Sequence, residues 1–169
     1  MAQDGRINRR DLATLPLAAA ATALASGAAG ATTAPALTPT LEQRALIDDL
    51  FTAYVWAYDC SAADAFIALF DPDDPVVVGR GQLHRGERAL RDWFAYLHAI
   101  RESESALWLH QALHHVYRPA GDGWLVYSYA THFGQPAAGG GSQVRSLGYF
   151  VSEVVMGETG YRFRRLSIN

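Results

Sequence analysis

Residues 41–70 read LEQRALIDDLFTAYVWAYDCSAADAFIALF, and this stretch decides the fold. Its apolar side chains recur at helical spacing, at Leu46, Leu50, Phe51, Tyr54, Val55 and Tyr58. Thr40 and Gln43 match a capping box, so the pattern predicts a helix that begins after Thr40 and ends near Tyr58. Asp59 falls at the end of the apolar face, where a carboxylate needs a partner because burying an unpaired charge is costly.

Two further helices are expected in the first half of the chain. Ser61, with Asp64 three residues later, predicts the cap of a second helix. The run DPDDP at residues 71–75 ends that helix, because proline cannot continue one. Apolar spacing over residues 87–100 predicts a third, amphipathic helix.

The second half of the chain has the alternation and turn residues of strands. Short strands are expected at 76–78 and 82–84, and long ones at 108–118, 124–133, 144–155 and 161–168. Three helices followed by four long antiparallel strands predict an α+β fold, with a curved antiparallel sheet wrapped around the N-terminal helices.

Composition excludes several classes of function. The chain has 169 residues, of which 50% are hydrophobic and 18% charged, which is typical of one globular domain. A net charge of -3 without a basic patch argues against a nucleic-acid partner. All 14 cationic residues are arginine, so Schiff-base lysine chemistry and a phosphate-loop lysine are excluded. Cys60 is the one cysteine, and no disulfide can form within the chain.

The N-terminal region has the character of a targeting segment. Arginines at positions 6, 9 and 10 precede an alanine-rich segment, 12–25, that is too short and weakly apolar for a stable membrane span. The sequence Ala29-Gly30-Ala31 is typical of a cleavage site. These features predict a signal peptide over 1–31, a linker over 32–39 and a domain over 40–169.

The pair Arg9-Arg10 followed by Leu12 resembles the bacterial twin-arginine export signal. That resemblance implies a periplasmic or secreted protein with no membrane span after cleavage. A general secretory signal and a disordered alanine-rich tail remain as alternatives.

The mature region resembles a known family in several features together. They are Tyr58-Asp59, the segment ALFD at 68–71, the turn at 81–86 leading into a helix, His110, Gly121-Asp122 and Gly148-Tyr149. Over residues 41–169 the chain resembles the SnoaL-like branch of the NTF2-like superfamily, in particular its scytalone dehydratase-type subgroup. The resemblance implies an NTF2-like cone that encloses an apolar pocket between the sheet and the helices.

The same resemblance implies catalytic roles for four residues. Tyr58 and Asp59 occupy the place of a Tyr-Asp pair at the end of the first helix, and His110 that of a histidine at the start of the first long strand. His132 lies two residues from the place of a second histidine, which keeps it on the same face of its strand. The family enzyme's serine and asparagine on the following strand are not clearly present, although Ser152 or Ser146 could substitute.

The chemistry of these residue types agrees with such a site. An aspartate beside a histidine fixes one imidazole tautomer, and the histidine can then remove a proton from the carbon next to a carbonyl. Tyr58 and His132 are candidates for binding the developing enolate oxygen. Two alternatives remain open, in which Asp59 is only a helix-end residue bonded to a turn, and His110 only a half-buried strand residue.

Further residues are candidates for contacting a ligand, namely Tyr54, Trp93, His114, Ser128 and Ser152. Strand alternation places His114 on the face of His110 and turns His115 away, while His84 and His98 are expected at the surface. Zinc bound by His110, His114 and His132 is conceivable, but no HExxH or CxxC pattern supports it. We therefore expect neither a metal nor a cofactor.

The sequence predicts an exported, cofactor-independent lyase or isomerase with an Asp-His dyad. Its ligand would be a small apolar or aromatic molecule, such as a carbonyl or polyketide-like compound. The alternative is a non-catalytic periplasmic domain of the same fold that binds small molecules or serves in dimerisation. A homodimer is expected through the outer sheet face, which carries Tyr127, Tyr129, Phe133 and Tyr149.

Overall fold

A computed structural model describes residues 38–104, 106–136 and 138–169. The predicted signal peptide and nearly all of the predicted linker lie outside these described residues, so both stay predictions. None of the described helices is long and apolar enough to cross a membrane.

The order of elements follows the prediction closely. The described residues contain three helices, α1 (Leu41–Asp59), α2 (Ala63–Ile67) and α3 (Glu87–Glu104). The strands are β1 (Val76–Gly79), β2 (Gln82–Arg85), β3 (Ala106–Ala120), β4 (Gly123–Pro136), β5 (Gln143–Met156) and β6 (Tyr161–Ile168). The expected α+β class is confirmed. Strands β3, β4 and β5 extend one to three residues beyond their predicted ends, and β6 has its predicted bounds.

The start of α1 has the predicted capping box. The Thr40 side chain accepts the main-chain N–H of Gln43 at 3.1 Å, and the Gln43 side chain accepts that of Thr40 at 2.9 Å. The buried face of the helix comprises Ile47, Leu50, Phe51, Tyr54, Ala57 and Tyr58. Because this face ends at Tyr58, Asp59 is placed at the border between core and surface.

The predicted cap of α2 is wrong. The residue before α2 is Ala62, which makes no side-chain cap, and Ser61 lies one position earlier with φ +59°. In this left-handed conformation Ser61 turns the chain between α1 and α2, and its hydroxyl lies 3.1 Å from Nδ1 of His98 in α3. The side chain therefore ties the turn to α3 instead of bonding the first turn of α2.

The strands form one six-stranded sheet in the order β2-β1-β6-β5-β4-β3. All neighbours are antiparallel except β1 and β6, where Val76 to Val78 pair in parallel with Arg165 to Ser167. The expectation of a wholly antiparallel sheet is corrected here. The long connection from β1 back to β6 leaves the strand direction free, whereas the hairpins β3-β4, β4-β5 and β5-β6 impose antiparallel pairing.

Bulges bend three of the strand pairings. Registers shift between Leu113 and Val116, between His132 and Phe133, and between Glu153 and Val154. An extra residue on one strand increases its bend and twist and changes the direction of the side chains that follow. The bulge in β3 lies at His114 and His115, so it decides which of these two imidazoles faces the interior.

Aromatic side chains hold the helices to the sheet. Tyr54 of α1 packs edge-on against Phe150 of β5, with ring centroids 5.6 Å apart. Phe66 of α2 contacts Phe94 of α3 at 4.8 Å. Full burial of one such side chain stabilises a fold by roughly 1.5–3 kcal/mol, so this cluster fixes α1 firmly over the concave side of the sheet.

Candidate active site

A cavity of about 460 Å³ lies between the sheet, α1 and α3. Its walls are mostly apolar or aromatic, with a few polar groups directed inward, as in small-molecule sites. The lining residues with the largest role are Tyr54, Tyr58, Trp93, Trp108, His110, His132 and Phe150. Trp93 closes one wall against Gly79, where a Cβ atom would come within 2.8 Å of the indole ring.

Asp59 holds His110 through both of its carboxylate oxygens. Oδ1 lies 2.6 Å from Nδ1 of His110, and Oδ2 accepts the main-chain N–H of His110 at 2.9 Å. Only 13% of the Asp59 side chain and 16% of the His110 side chain are exposed. An ionised carboxylate can only accept, so the contact places the imidazole proton on Nδ1 and leaves Nε2 as the basic atom.

Arg101 of α3 contacts the residue that orients His110. Its Nη1 donates a hydrogen bond to the main-chain carbonyl of Asp59 at 2.6 Å. The last carbonyl groups of a helix lack partners within the helix, and a cation there also complements the helix dipole. Arg101 thereby fixes the end of α1, and with it the carboxylate of Asp59.

His132 is the cross-strand neighbour of His110. The two imidazole rings are stacked, with centroids 4.5 Å apart and planes 10° from parallel. The edge of Trp108 packs against His132 at 4.8 Å. Nε2 of His132 is buried and has no hydrogen-bond partner among the described residues, so it is a donor or acceptor available to a polar atom in the cavity.

Burial decides the charge of His132. It lowers the pKa of this imidazole to about 4, and the positive charges of His110 and Arg145 act in the same direction. His132 is therefore neutral at pH 7.

The two tyrosines on α1 stay protonated. Burial raises the pKa of Tyr58 far above its ordinary value, and the charge of Asp59 raises it further. Burial likewise raises the pKa of Tyr54, with smaller contributions from Tyr58 and Asp59. Both hydroxyl groups are thus hydrogen-bond donors at any physiological pH.

The structure brings most of the predicted site residues together. Tyr54, Tyr58, Trp93, His110 and His132 line the cavity, and Asp59 lies directly behind His110. Ser146, the alternative to Ser152, also lines it, opposite His132 on the neighbouring strand.

Three predicted ligand-binding residues, His114, Ser128 and Ser152, do not line this cavity. Ser128 and Ser152 do face the interior, but they are buried deeper in the core. The Ser128 hydroxyl lies 2.6 Å from Nδ1 of His115 and is engaged there. The depth of the cavity is set by packing between elements, which strand alternation does not reveal.

The orientations expected for His114 and His115 are reversed. His114 is exposed with φ +57°, at the bulge in β3. The bulge shifts the alternation by one residue, so His115 turns inward and stacks on Phe51 with centroids 4.5 Å apart. Strict alternation from His110 could not anticipate this inserted residue.

His98 is also misplaced by the sequence reasoning. It was expected at the surface, yet only 7% of it is exposed, and its ring packs on Phe94 at 4.1 Å. The sequence analysis did not identify Trp108 or Arg101 as residues of the site. Strand alternation from His110 contained the signal for Trp108, whereas the contact of Arg101 joins residues 42 positions apart and has no local signal.

A metal site finds no support in the described part of the chain. It holds no group of three or more His, Cys, Asp or Glu side chains arranged to bind a metal ion. The zinc alternative needed His114 beside His110 and His132, but His114 lies outside the cavity that the other two line.

The chain matches the model of a known protein family. The model of the family described as "SnoaL-like domain" matches residues 39–167. No curated protein matches the sequence.

Solved structures similar to this chain share its fold at low identity. The protein Aln2 from a Streptomyces species has a TM-score of 0.69 and 18% identity, over 78% of this chain and 92% of that one. A protein described as "Putative Scytalone Dehydratase" from Novosphingobium aromaticivorans has a TM-score of 0.62 and 14% identity, over 76% and 84%. An "ntf2-like protein with a cystatin-like fold" from Novosphingobium aromaticivorans has a TM-score of 0.63 and 18% identity, over 76% and 81%. The expected NTF2-like fold is confirmed.

The low pKa of His132 predicts a fold that is sensitive to acid. In the unfolded chain a histidine titrates near pH 6.5, but in the folded protein the pKa of His132 is about 4. The unfolded state therefore binds the proton more readily, and the stabilisation present above about pH 6.5 is lost as the pH falls toward 4. His132→Gln removes this titration, so its melting temperature should fall less steeply than that of the parent between about pH 7 and about pH 4.5.

His114→Asn is the control, because His114 is exposed and asparagine tolerates its positive φ. This variant should keep the acid slope of the parent. Burial also lowers the pKa values of His98 and His115, so some acid sensitivity remains in every variant. An acid slope in His132→Gln as steep as the parent's would contradict the prediction.

Proposed function

Since its residues 39–167 match the family model, the chain belongs to the SnoaL-like domain family, and we propose that it is a cofactor-independent lyase or isomerase. The proposed reaction is proton transfer at a carbon next to a carbonyl, in a small aromatic or polyketide-like molecule. Fold alone does not determine activity, so the proposal rests on the site.

The strongest support is the contact between Asp59 and His110. A 2.6 Å approach to Nδ1 and a second bond to the main chain leave the imidazole one orientation, with Nε2 free. His110 also lines the cavity, so this free base belongs to a wall that a ligand would touch. The arrangement is that of a general base held by a carboxylate.

In the proposed first step, Nε2 of His110 removes a proton from the carbon beside the substrate carbonyl. The C–H electron pair moves into the new C=C bond, and the carbonyl electrons move to oxygen, which becomes an enolate. The imidazolium that forms is stabilised by the charge of Asp59. The proton then returns to a different carbon in an isomerase, or to a leaving hydroxyl group in a dehydratase.

Neutral donors in the cavity suit the enolate oxygen. Tyr54 and Tyr58 keep their hydroxyl protons because burial raises both pKa values. His132 is neutral at pH 7 and offers the unpartnered Nε2. Hydrogen bonds directed at developing charge in a water-poor site typically contribute a large part of such catalysis.

The walls of the cavity favour an aromatic or otherwise apolar ring. Trp93, Trp108 and Phe150 surround it, and aromatic side chains pack well on flat apolar rings. A volume of about 460 Å³ falls within the range of small-molecule sites. The similar protein described as "Putative Scytalone Dehydratase" carries a name that agrees with this reaction class.

The proposed catalysis predicts that the dyad acts as a unit. Exchange of the protons beside the carbonyl of 1-tetralone in D2O, followed by NMR, measures base catalysis without knowledge of the natural substrate. Asp59→Asn and His110→Ala should each lower the exchange rate by roughly 10²–10⁴-fold, the usual loss on removing a general base. The double variant should lose little more than the worse single variant.

His114→Asn is the matched histidine control, and it should exchange at the parent rate because His114 lies outside the cavity. Circular dichroism should show that every variant remains folded. If the parent binds 1-tetralone but does not accelerate exchange, the non-catalytic binding domain replaces the enzyme. If His110→Ala exchanges as fast as the parent, His110 is not the base.

Export through the twin-arginine route is part of the proposal, supported by Arg9-Arg10 before the alanine-rich segment. Replacing both arginines with lysine should leave the precursor in the cytoplasm, as measured by cell fractionation and immunoblotting in a bacterial host. Arg6→Lys, outside the pair, should not reduce export. Unchanged transport of the double-lysine variant would contradict the assignment.

We also propose a homodimer through the outer face of the sheet. Strands β3 and β4 expose large apolar residues that do not line the cavity, namely Leu107, Leu109, Leu113, Val116 and Tyr129. Tyr129 is 65% exposed. Burial of such side chains against a second copy of the chain would stabilise a dimer.

The dimer predicts a concentration-dependent association that a charge on this face abolishes. Sedimentation velocity at micromolar concentration should give a dimer for the parent and a monomer for Tyr129→Asp. Leu83→Asp is the control, because Leu83 is 62% exposed but lies on β2, at the opposite edge of the sheet. A parent that sediments only as a monomer would exclude the dimer.

A further inference from the structure

One cation, Arg80, stands at the wall of the cavity. It lies in the two-residue turn between β1 and β2, where Gly79 pairs with Gln82. Among the described residues that line the cavity, Arg80 is the one with a permanent positive charge, and none has a carboxylate side chain. Arg80 therefore supplies a positive charge at this wall that would attract an anion.

The guanidinium group of Arg80 is free to bind. It lies 5.9 Å from the ring centroid of Tyr96, a cation–π contact that leaves its N–H groups unused. Within the described residues its side chain makes no hydrogen bond and no ion pair, although Asp92 lines the adjacent depression. Its five donors therefore remain available in the fork geometry that matches a carboxylate.

Arg80 lines both the cavity and a neighbouring depression. A depression of about 470 Å³ shares Gly79, Arg80 and Trp93 with the cavity. Its other walls are polar in part, with Gln82 and His84, and Nε2 of His84 is buried without a described partner. A molecule with an apolar ring in the cavity would thus reach a polar region at Arg80.

The local turn does not explain an arginine at this position. Arg80 has φ +51° and Gly81 has φ +76°, which is the pattern of a tight hairpin turn with two left-handed residues. Such turns favour asparagine, aspartate or glycine at their first central position. A left-handed φ is unfavourable for other residues, because they lack the short polar side chain that bonds the local main chain. A residue that breaks the local rule suggests a contact outside the turn.

We propose that Arg80 binds the carboxylate of the substrate, which makes the substrate class an aromatic or polyketide-like carboxylic acid. The ring occupies the apolar cavity beside His110, and the acid group is held at the β1-β2 turn. This inference rests on the proposed function for the identity of the site, but it concerns binding and requires no turnover.

Paired probes that differ only in charge test the assignment. 2-Naphthylacetic acid and its neutral amide have the same ring and nearly the same shape. Isothermal titration calorimetry at pH 7.5 and low salt should show the acid binding the parent about fivefold more tightly than the amide. Fivefold corresponds to about 1 kcal/mol, which suits a charge pair at an exposed arginine.

Three variants separate the charge of Arg80 from other effects. Arg80→Gln should lose the preference for the acid and keep the affinity for the amide. Arg80→Lys should retain part of the preference, because the charge remains while the fork is lost. Arg88→Gln removes one charge from α3 at an exposed residue that lines neither space, and it should behave as the parent.

The outcomes distinguish this inference from the proposed function. Equal binding of acid and amide by the parent, or a preference that survives Arg80→Gln, would overturn the role of Arg80. Neither result depends on proton exchange, which tests Asp59 and His110 separately. If the preference disappears in Arg80→Gln while no exchange is found in the parent, the carboxylate site stands and the catalytic proposal fails.

Discussion

The site depends on one interaction, the pair of hydrogen-bond contacts between the Asp59 carboxylate and His110. One oxygen lies 2.6 Å from the imidazole and the other accepts the main-chain N–H of the same residue. A largely buried carboxylate is stable only with such partners, and these two partners also join the end of α1 to the first long strand. The same contacts therefore stabilise the charge of Asp59 and orient the imidazole of His110 as a base.

Burial controls the protonation of the polar side chains next to the dyad. Burial keeps His132 neutral at pH 7 and keeps Tyr58 protonated, because it lowers the first pKa and raises the second. Their neutrality means that a proton taken up from a ligand produces one new positive charge, which Asp59 is placed to stabilise. Arg80 contributes a permanent positive charge at the wall of the cavity.

The sequence predicts the fold far better than it predicts the depth of the site. Helical spacing and the capping box located α1 to within one residue, and the end of its apolar face placed Asp59 correctly. His114 and Ser128 were assigned by strand alternation, which a bulge interrupts at His114 and which says nothing about how far a cavity extends. Ser152 was assigned from the family resemblance, which does not fix the depth of the cavity either. Arg101 and His98 depend on packing between elements distant in sequence, so no local pattern could reveal them.

The most direct test of the central claim is the tautomer of His110, measured by ¹⁵N NMR at pH 8 on protein labelled at histidine. If Asp59 holds the ring as described, the proton is on Nδ1, its resonance is shifted strongly downfield, and that resonance disappears in Asp59→Asn. A proton found on Nε2, or a His110 spectrum unchanged by Asp59→Asn, would contradict the account.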